Sequence, residues 1–203
     1  LYGIPFHGML FFWGGRMKRT AMTIPALQRM KQAGEKITVI TAYDYPSARL
    51  CDAAGVDVIL VGDSVGVVFA GHDTTLPVTM DEMLYHIRAV MRAQPRALIL
   101  ADMPFMSCQS GVEQALHNCG RMLKEAGAAA VKIEGGVAMA PVIQAVTSMD
   151  IPVVGHIGLT PQSVHRMGGY KVQGRQGQAE AIYADALAVE AAGACALVLE
   201  GIP

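Results

Sequence analysis

Six short aliphatic runs recur along the chain, alternating with stretches of helical spacing. The runs are KITVITA (36–42), VDVILV (56–61), ALILA (97–101), AAVKI (129–133), IPVVG (151–155) and ACALVL (194–199). Most are apolar throughout, as expected of parallel strands covered on both faces. The helices carry their own signals. An amphipathic stretch from Ile24 to Gln32 precedes the first run. Thr79 and Glu82 form a T-x-x-E capping box ahead of Leu84, Ile87 and Met91. Ser110 and Glu113 repeat the spacing ahead of Leu116, Cys119 and Leu123, and Gly127 ends that segment. An alanine-rich helix is expected over 179–192, ending at Gly193. Repeated βα units predict a parallel α/β fold, either a doubly wound open sheet or a (β/α)8 TIM-type barrel. No G-x-G-x-x-G follows the first run, which weakens the dinucleotide-binding version of the open sheet. A full barrel takes about 250 residues, so six units in 203 residues predict a barrel apparently lacking its last two βα units.

Each run leads to an acid or an imidazole: Asp44, Asp63, Asp102, Glu134, His156 and Glu200. In parallel α/β folds the C-terminal strand ends converge on one face, where active sites lie. Several acids gathered there would repel one another and raise each other's pKa. A divalent cation relieves that repulsion, and an all-oxygen donor set favours Mg²⁺ or a similar hard ion. Lys132 lies two residues before Glu134, so in a strand both point to one side. That lysine is either a cation for a substrate carboxylate or half of a structural ion pair. Each of the others also has a structural reading: Asp44 and Asp63 as helix caps, Asp102 as a turn residue, His156 as a core histidine, Glu200 as a solvated acid. His72 and Asp73 in GHDTT read as loop order.

With 16 Lys+Arg against 17 Asp+Glu, the formal net charge of −1 gives no electrostatic footprint for nucleic acid or an anionic membrane. A hydrophobic content of 52 % and a charged content of 16 % exclude intrinsic disorder. Cys51, Cys108, Cys119 and Cys195 form no CxxC and no zinc spacing, so they read as reduced thiols of a cytoplasmic protein. The apolar opening segment is interrupted by Gly3, Pro5, His7 and Gly8 and is shorter than the roughly 20 residues a membrane span requires. Residues 1–16 are expected to be a non-native or upstream extension, and 17–203 an incomplete barrel domain.

Longer stretches carry a resemblance. TAYDYPSA (41–48), VILVGDSVG (58–66), GHDTTLPVTMDEM (71–83), ADMPFM (101–106), VKIEGG (131–136), GHIGLTPQSV (155–164), GGYKVQGR (168–175) and LVLEGIP (197–203) are collinear and specific. Together they resemble the ketopantoate hydroxymethyltransferase family over about residues 23–203. The resemblance implies a (β/α)8 barrel enzyme of pantothenate biosynthesis, cytoplasmic and homo-oligomeric. It implies transfer of a one-carbon unit from 5,10-methylenetetrahydrofolate to 3-methyl-2-oxobutanoate, giving 2-dehydropantoate, with Mg²⁺. By position, Asp63, Asp102 and Glu134 match the metal-associated carboxylates. Asp63, Ser64, Asp102 and Lys132 match the residues that hold the keto acid. Glu200 matches the proton acceptor, and His156 a histidine behind the site. The family continues through two further strands, and the 1–16 extension is outside its pattern, so a truncated, non-catalytic fragment is a competing expectation. So is another Mg²⁺-dependent 2-oxo-acid barrel enzyme of the isocitrate lyase/phosphoenolpyruvate mutase type, although Cys108 lacks the reactive-loop motif of that group.

Overall fold

A computed structural model describes residues 20–175 and 177–203. The expected extension at 1–16 lies outside the described residues. The elements run α1 (Ile24–Gln32), β1 (Val39–Thr41), α2 (Tyr45–Ala54), β2 (Val58–Val61), α3 (Val65–Val68), α4 (Met80–Met91), β3 (Leu98–Asp102), α5 (Val112–Lys124), β4 (Ala130–Glu134), α6 (Ala140–Thr147), β5 (Val153–Gly158), α7 (Val164–Met167), α8 (Ala179–Ala191) and β6 (Ala196–Glu200). Single 3-10 turns, Val137–Met139 and Pro161–Ser163, lead into α6 and α7.

All six strands are parallel and lie in the sheet in chain order, β1 through β6. A doubly wound sheet reverses its strand order part-way, as in 3-2-1-4-5-6, so that alternative is excluded. Strictly sequential parallel order is that of a TIM-type barrel wall. The wall is curved. In a flat sheet, β2 and β5 lie about 14 Å apart at three strand spacings. Here Gln162, just after β5, reaches Asp63, just after β2, with a 2.8 Å hydrogen bond.

Alternation along the strands sorts side chains onto two faces. Ile59, Val61, Ile99, Ala101, Val131, Ile133, Val153 and Ile157 face outward into the main core shared with the helices. Val58, Leu98, Leu100, Ala130 and Val154 form a second cluster on the concave face, with Met22, Ile24 and Leu27 of the α1 region packed against it. Each buried valine, leucine or isoleucine among the strand residues contributes about 1.5–3 kcal/mol of transfer free energy. The concave face is therefore apolar at its N-terminal end, and the polar residues lie at the other.

The capping box at Thr79 is present in both directions, Glu82 N–H to Thr79 Oγ1 and Thr79 N–H to Glu82 Oε2. The box expected at Ser110 is not formed. Gly111 caps α5 at φ +134°, and the Ser110 hydroxyl donates to Met106 O instead. The chain turns one residue later than the spacing suggested, at a backbone conformation only glycine adopts freely.

At the opposite rim, Asp52 of α2 is buried beneath Arg96, which meets it with Nε and Nη2 at 2.9–3.3 Å. Burial alone would raise the Asp52 pKa, but the Arg96 side chain and the N–H groups of Arg96 and Ala97 outweigh it and hold it below the ordinary carboxylate value. A depressed carboxyl pKa adds stability above the unfolded value near 3.9, and that stability is lost as pH falls through the folded value. Arg96→Ala leaves the carboxylate uncompensated and is expected to cost about 3 kcal/mol, near the low end for breaking a buried pair. Urea unfolding at pH 7 measures the loss, and the gap from the parent chain should shrink below pH 4.

Candidate active site

The register of the strands, set by their alternation, brings the polar residues together. Asp102 pairs in register with Lys132, Glu134 with His156, and Gly158 with Glu200. Asp102, Lys132, Glu134 and His156 are all at least 94 % buried. The strands reach further than their apolar cores suggested: β3, β4 and β6 end on Asp102, Glu134 and Glu200, and His156 lies inside β5. Lys132 and Glu134 do share a face, as their spacing predicted.

Asp63 joins them from the loop after β2. Its N–H donates to Asp102 Oδ2 (3.1 Å). At Gly62 a Cβ would crowd Ser64 Oγ at 2.9 Å, so glycine leaves that hydroxyl its place. Lys132 Nζ lies 2.9 Å from Asp102 Oδ1, 3.8 Å from Glu134 Oε1 and 3.1 Å from His156 Nδ1. An ammonium only donates, so His156 Nδ1 accepts and the ring proton sits on Nε2. That Nε2 lies 3.1 Å from Glu200 Oε2, out of hydrogen-bond alignment. Glu200 is the exposed member, with 46 % of its side chain in solvent. Ser64 accompanies Asp63, and its Oγ is 2.8 Å from the Tyr43 hydroxyl.

Asp44 is the strand-end acid that stands apart. It caps α2, accepting from Ser47 N–H at 2.8 Å and from the Ser47 hydroxyl, and those bonds lower its pKa. His72 and Asp73 lie exposed in their loop.

Three carboxylates against one ammonium leave excess negative charge. Burial, and then the Asp102 charge, push the Asp63 carboxyl up to about 8 against the pull of Lys132 and Gln162. Burial pulls the Lys132 ammonium down, yet Asp102, Glu134 and Asp63 together hold it above its ordinary value. Asp102 Oδ1 has only the Lys132 ammonium beside it, and Glu134 Oε1 is buried without a hydrogen bond. A hard oxygen left unpaired beside crowded carboxylates fits a divalent cation of the Mg²⁺ type. Among the described residues no three acids, histidines or cysteines form a ready-made cage.

Sequence reasoning missed Gln162, Gln109 and Tyr43 as parts of this site. Gln162 lies in GHIGLTPQSV and Tyr43 in TAYDYPSA, so both fell in stretches that carry the resemblance. A cavity of about 410 Å³ opens alongside, with Glu134, Gln162, Arg166 and Asp185 in its wall. All four cysteines are free thiols. Among the described residues no helix is long and apolar enough to cross a membrane.

Residues 21–203 match the sequence profile of a family described as ketopantoate hydroxymethyltransferase. The chain is 72 % identical over 185 residues to the 3-methyl-2-oxobutanoate hydroxymethyltransferase of Trichlorobacter lovleyi, covering 91 % of this chain and 70 % of that protein. It is 63 % identical over 184 residues to the protein of the same name from Geobacter sulfurreducens, covering 90 % and 69 %. Among solved structures it resembles 2,3-dimethylmalate lyase of the PEP mutase/isocitrate lyase superfamily, with TM-score 0.63 and 21 % identity over 90 % of this chain. It also resembles a phosphonopyruvate hydrolase complex with oxalate and Mg²⁺, with TM-score 0.63 and 20 % identity over 87 %. The chain spans 63 % and 62 % of those two proteins. At that identity the likeness is one of fold.

Proposed function

Because this chain belongs to the ketopantoate hydroxymethyltransferase family, we propose that its site transfers a one-carbon unit from 5,10-methylenetetrahydrofolate to 3-methyl-2-oxobutanoate, giving 2-dehydropantoate. The observation that carries this reading is the convergence of Asp63, Asp102, Lys132 and Glu134 from three strand ends, all buried and with Glu134 Oε1 left without a hydrogen bond. Asp63, Asp102 and Glu134 would hold Mg²⁺. Bound there, the ion supplies Lewis-acid polarisation of a 2-oxo acid's keto oxygen, making the neighbouring C–H more acidic.

The protein's own groups supply the rest. Two donors of the Lys132 ammonium face Asp102 and His156. Its charge would face the substrate carboxylate, with the Ser64 hydroxyl, held by Tyr43, as a second anchor. Glu200 takes the C3 proton. As the only exposed acid of the group it can reach a substrate lying over the buried cluster, and general bases are judged on reach first. His156 Nε2 lies beside it at 3.1 Å. Water breaks the methylene's two C–N bonds, releasing tetrahydrofolate and a formaldehyde-level carbon, and the activated C3 adds to that carbon, whose oxygen takes up a proton to become the product hydroxyl.

The remaining expectations belong to the same proposal: a cytoplasmic enzyme acting as a homo-oligomer. Exposed Val68, Phe69 and Tyr85 support self-association, since apolar patches rimmed by polar residues mark contact sites.

The test is deuterium exchange at C3 of 3-methyl-2-oxobutanoate, followed by proton NMR without folate. Exchange should require Mg²⁺ and stop on chelation. Glu200→Gln should slow it by about 10²–10⁴-fold, the usual effect of a general base. Exchange that is indifferent to both metal and Glu200 would overturn the assignment.

A further inference from the structure

Asp63 follows β2 and Glu134 ends β4, with β3 between them. One residue reaches both. Gln162, in the 3-10 turn after β5 and 7 % exposed, donates from Nε2 to Asp63 Oδ2 (2.8 Å) and to Met103 O (2.9 Å). Its backbone N–H donates to Glu134 Oε2 (3.1 Å). The amide has only one workable orientation. Nε2 faces two acceptors, and Oε1 accepts from Gln109 Nε2 at 3.2 Å. Turning the amide over would set oxygen against oxygen and nitrogen against nitrogen.

The pattern of engaged oxygens is informative. Gln162 occupies Oδ2 of Asp63 and Oε2 of Glu134, while the Asp63 N–H occupies Oδ2 of Asp102. Each carboxylate therefore has one oxygen held by an amide N–H donor, while Asp102 Oδ1 faces only the Lys132 ammonium and Glu134 Oε1 is left without a hydrogen bond. Fixing one oxygen of a carboxylate fixes the direction of the other. Groups that orient metal ligands in this way control affinity without touching the ion.

We propose that Gln162 is a positioning residue of the cation site, its side-chain and backbone amides together aiming the Asp63 and Glu134 carboxylates at one ion, with Gln109 locking its orientation. This rests on the reading of the site as a metal centre. The two amides act separately: a side-chain substitution frees Asp63 and leaves the backbone bond to Glu134 in place.

The experiment measures Mn²⁺ dissociation constants by electron paramagnetic resonance on the 203-residue chain, well below the thermal midpoint, for the parent, Gln162→Met and Gln109→Ala. Methionine keeps length and volume and removes the donors. Gln162→Met should bind Mn²⁺ about 10–100-fold more weakly, the range for groups that orient metal ligands. C3 exchange should recover toward the parent rate at saturating Mn²⁺. Gln109→Ala, which spares both carboxylate bonds, should weaken binding by a smaller factor, and it decides the matter if Gln162→Met does not fold. A lowered thermal midpoint with unchanged Mn²⁺ affinity would make Gln162 merely structural and overturn the proposal. A parent chain that binds no Mn²⁺ would instead remove the metal reading itself, and this proposal with it.

Discussion

Lys132→Met is expected to abolish turnover and to destabilise the chain by about 3–5 kcal/mol, the range for removing one partner of a buried ion pair. The ammonium is 5 % exposed, lies 2.9 Å from Asp102 and is the positive charge that Asp63, Asp102 and Glu134 share. Methionine fills the space and offers no charge, so the buried carboxylates confront one another without a counter-charge. Against a typical total stability of about 5–15 kcal/mol, that loss is large. Turnover should fall by at least about 10³-fold, because the keto acid loses the cation that faces its carboxylate, and preorganised charge of this kind is a major source of catalytic rate enhancement. Mg²⁺ should restore part of the lost stability, since a ligand that binds only the folded state stabilises it by mass action. Urea titrations with and without Mg²⁺ measure both effects. A variant as stable as the parent would mean that Lys132 is not the counter-charge of this cluster.

Asp63→Asn is expected to move activity and stability in opposite directions. Burial and the Asp102 charge raise the Asp63 carboxyl to about 8, which marks a group whose charged form the fold disfavours. The asparagine keeps an oxygen for Gln162 Nε2, and the backbone bond from residue 63 to Asp102 is untouched. Relief of like-charge repulsion should raise the metal-free thermal midpoint by about 2–4 °C, what roughly 1 kcal/mol gives a domain of this size. Cation affinity should fall by at least about 100-fold, and C3 exchange with it. Thermal scans in chelator beside Mn²⁺ titrations separate the two. A midpoint that drops in chelator would show that Asp63 serves the fold rather than the ion, whereas the predicted trade is common where function needs a strained cluster.

Much of this was legible in the chain before any geometry. The alternation of apolar runs and helices gave the βα repeat, and an acid or imidazole at each run's end marked the functional rim. The two-residue spacing of Lys132 and Glu134 placed them on one face. Asp44 shows what spacing cannot separate: an acid after a strand suits both a helix cap and an active site, and a serine three residues on settled it. The strands' true ends were hidden because inward side chains turn polar while the ladder continues, so a search for apolar runs stopped short of Asp102, Glu134 and Glu200. Ser110 failed as a cap because Gly111 supplied the turn. Gln162 had no local signal at all. Its importance lies in a contact 99 residues away along the chain, which only the curvature of the sheet creates.

The most direct measurement is anomalous diffraction from crystals of the chain grown with Mn²⁺ and 3-methyl-2-oxobutanoate. A single manganese peak should lie about 2.0–2.2 Å from carboxylate oxygens of Asp63 and Asp102, with the keto acid chelating it and its carboxylate toward Lys132. A peak elsewhere, or a keto acid bound away from both aspartates with no manganese beside it, would contradict the account.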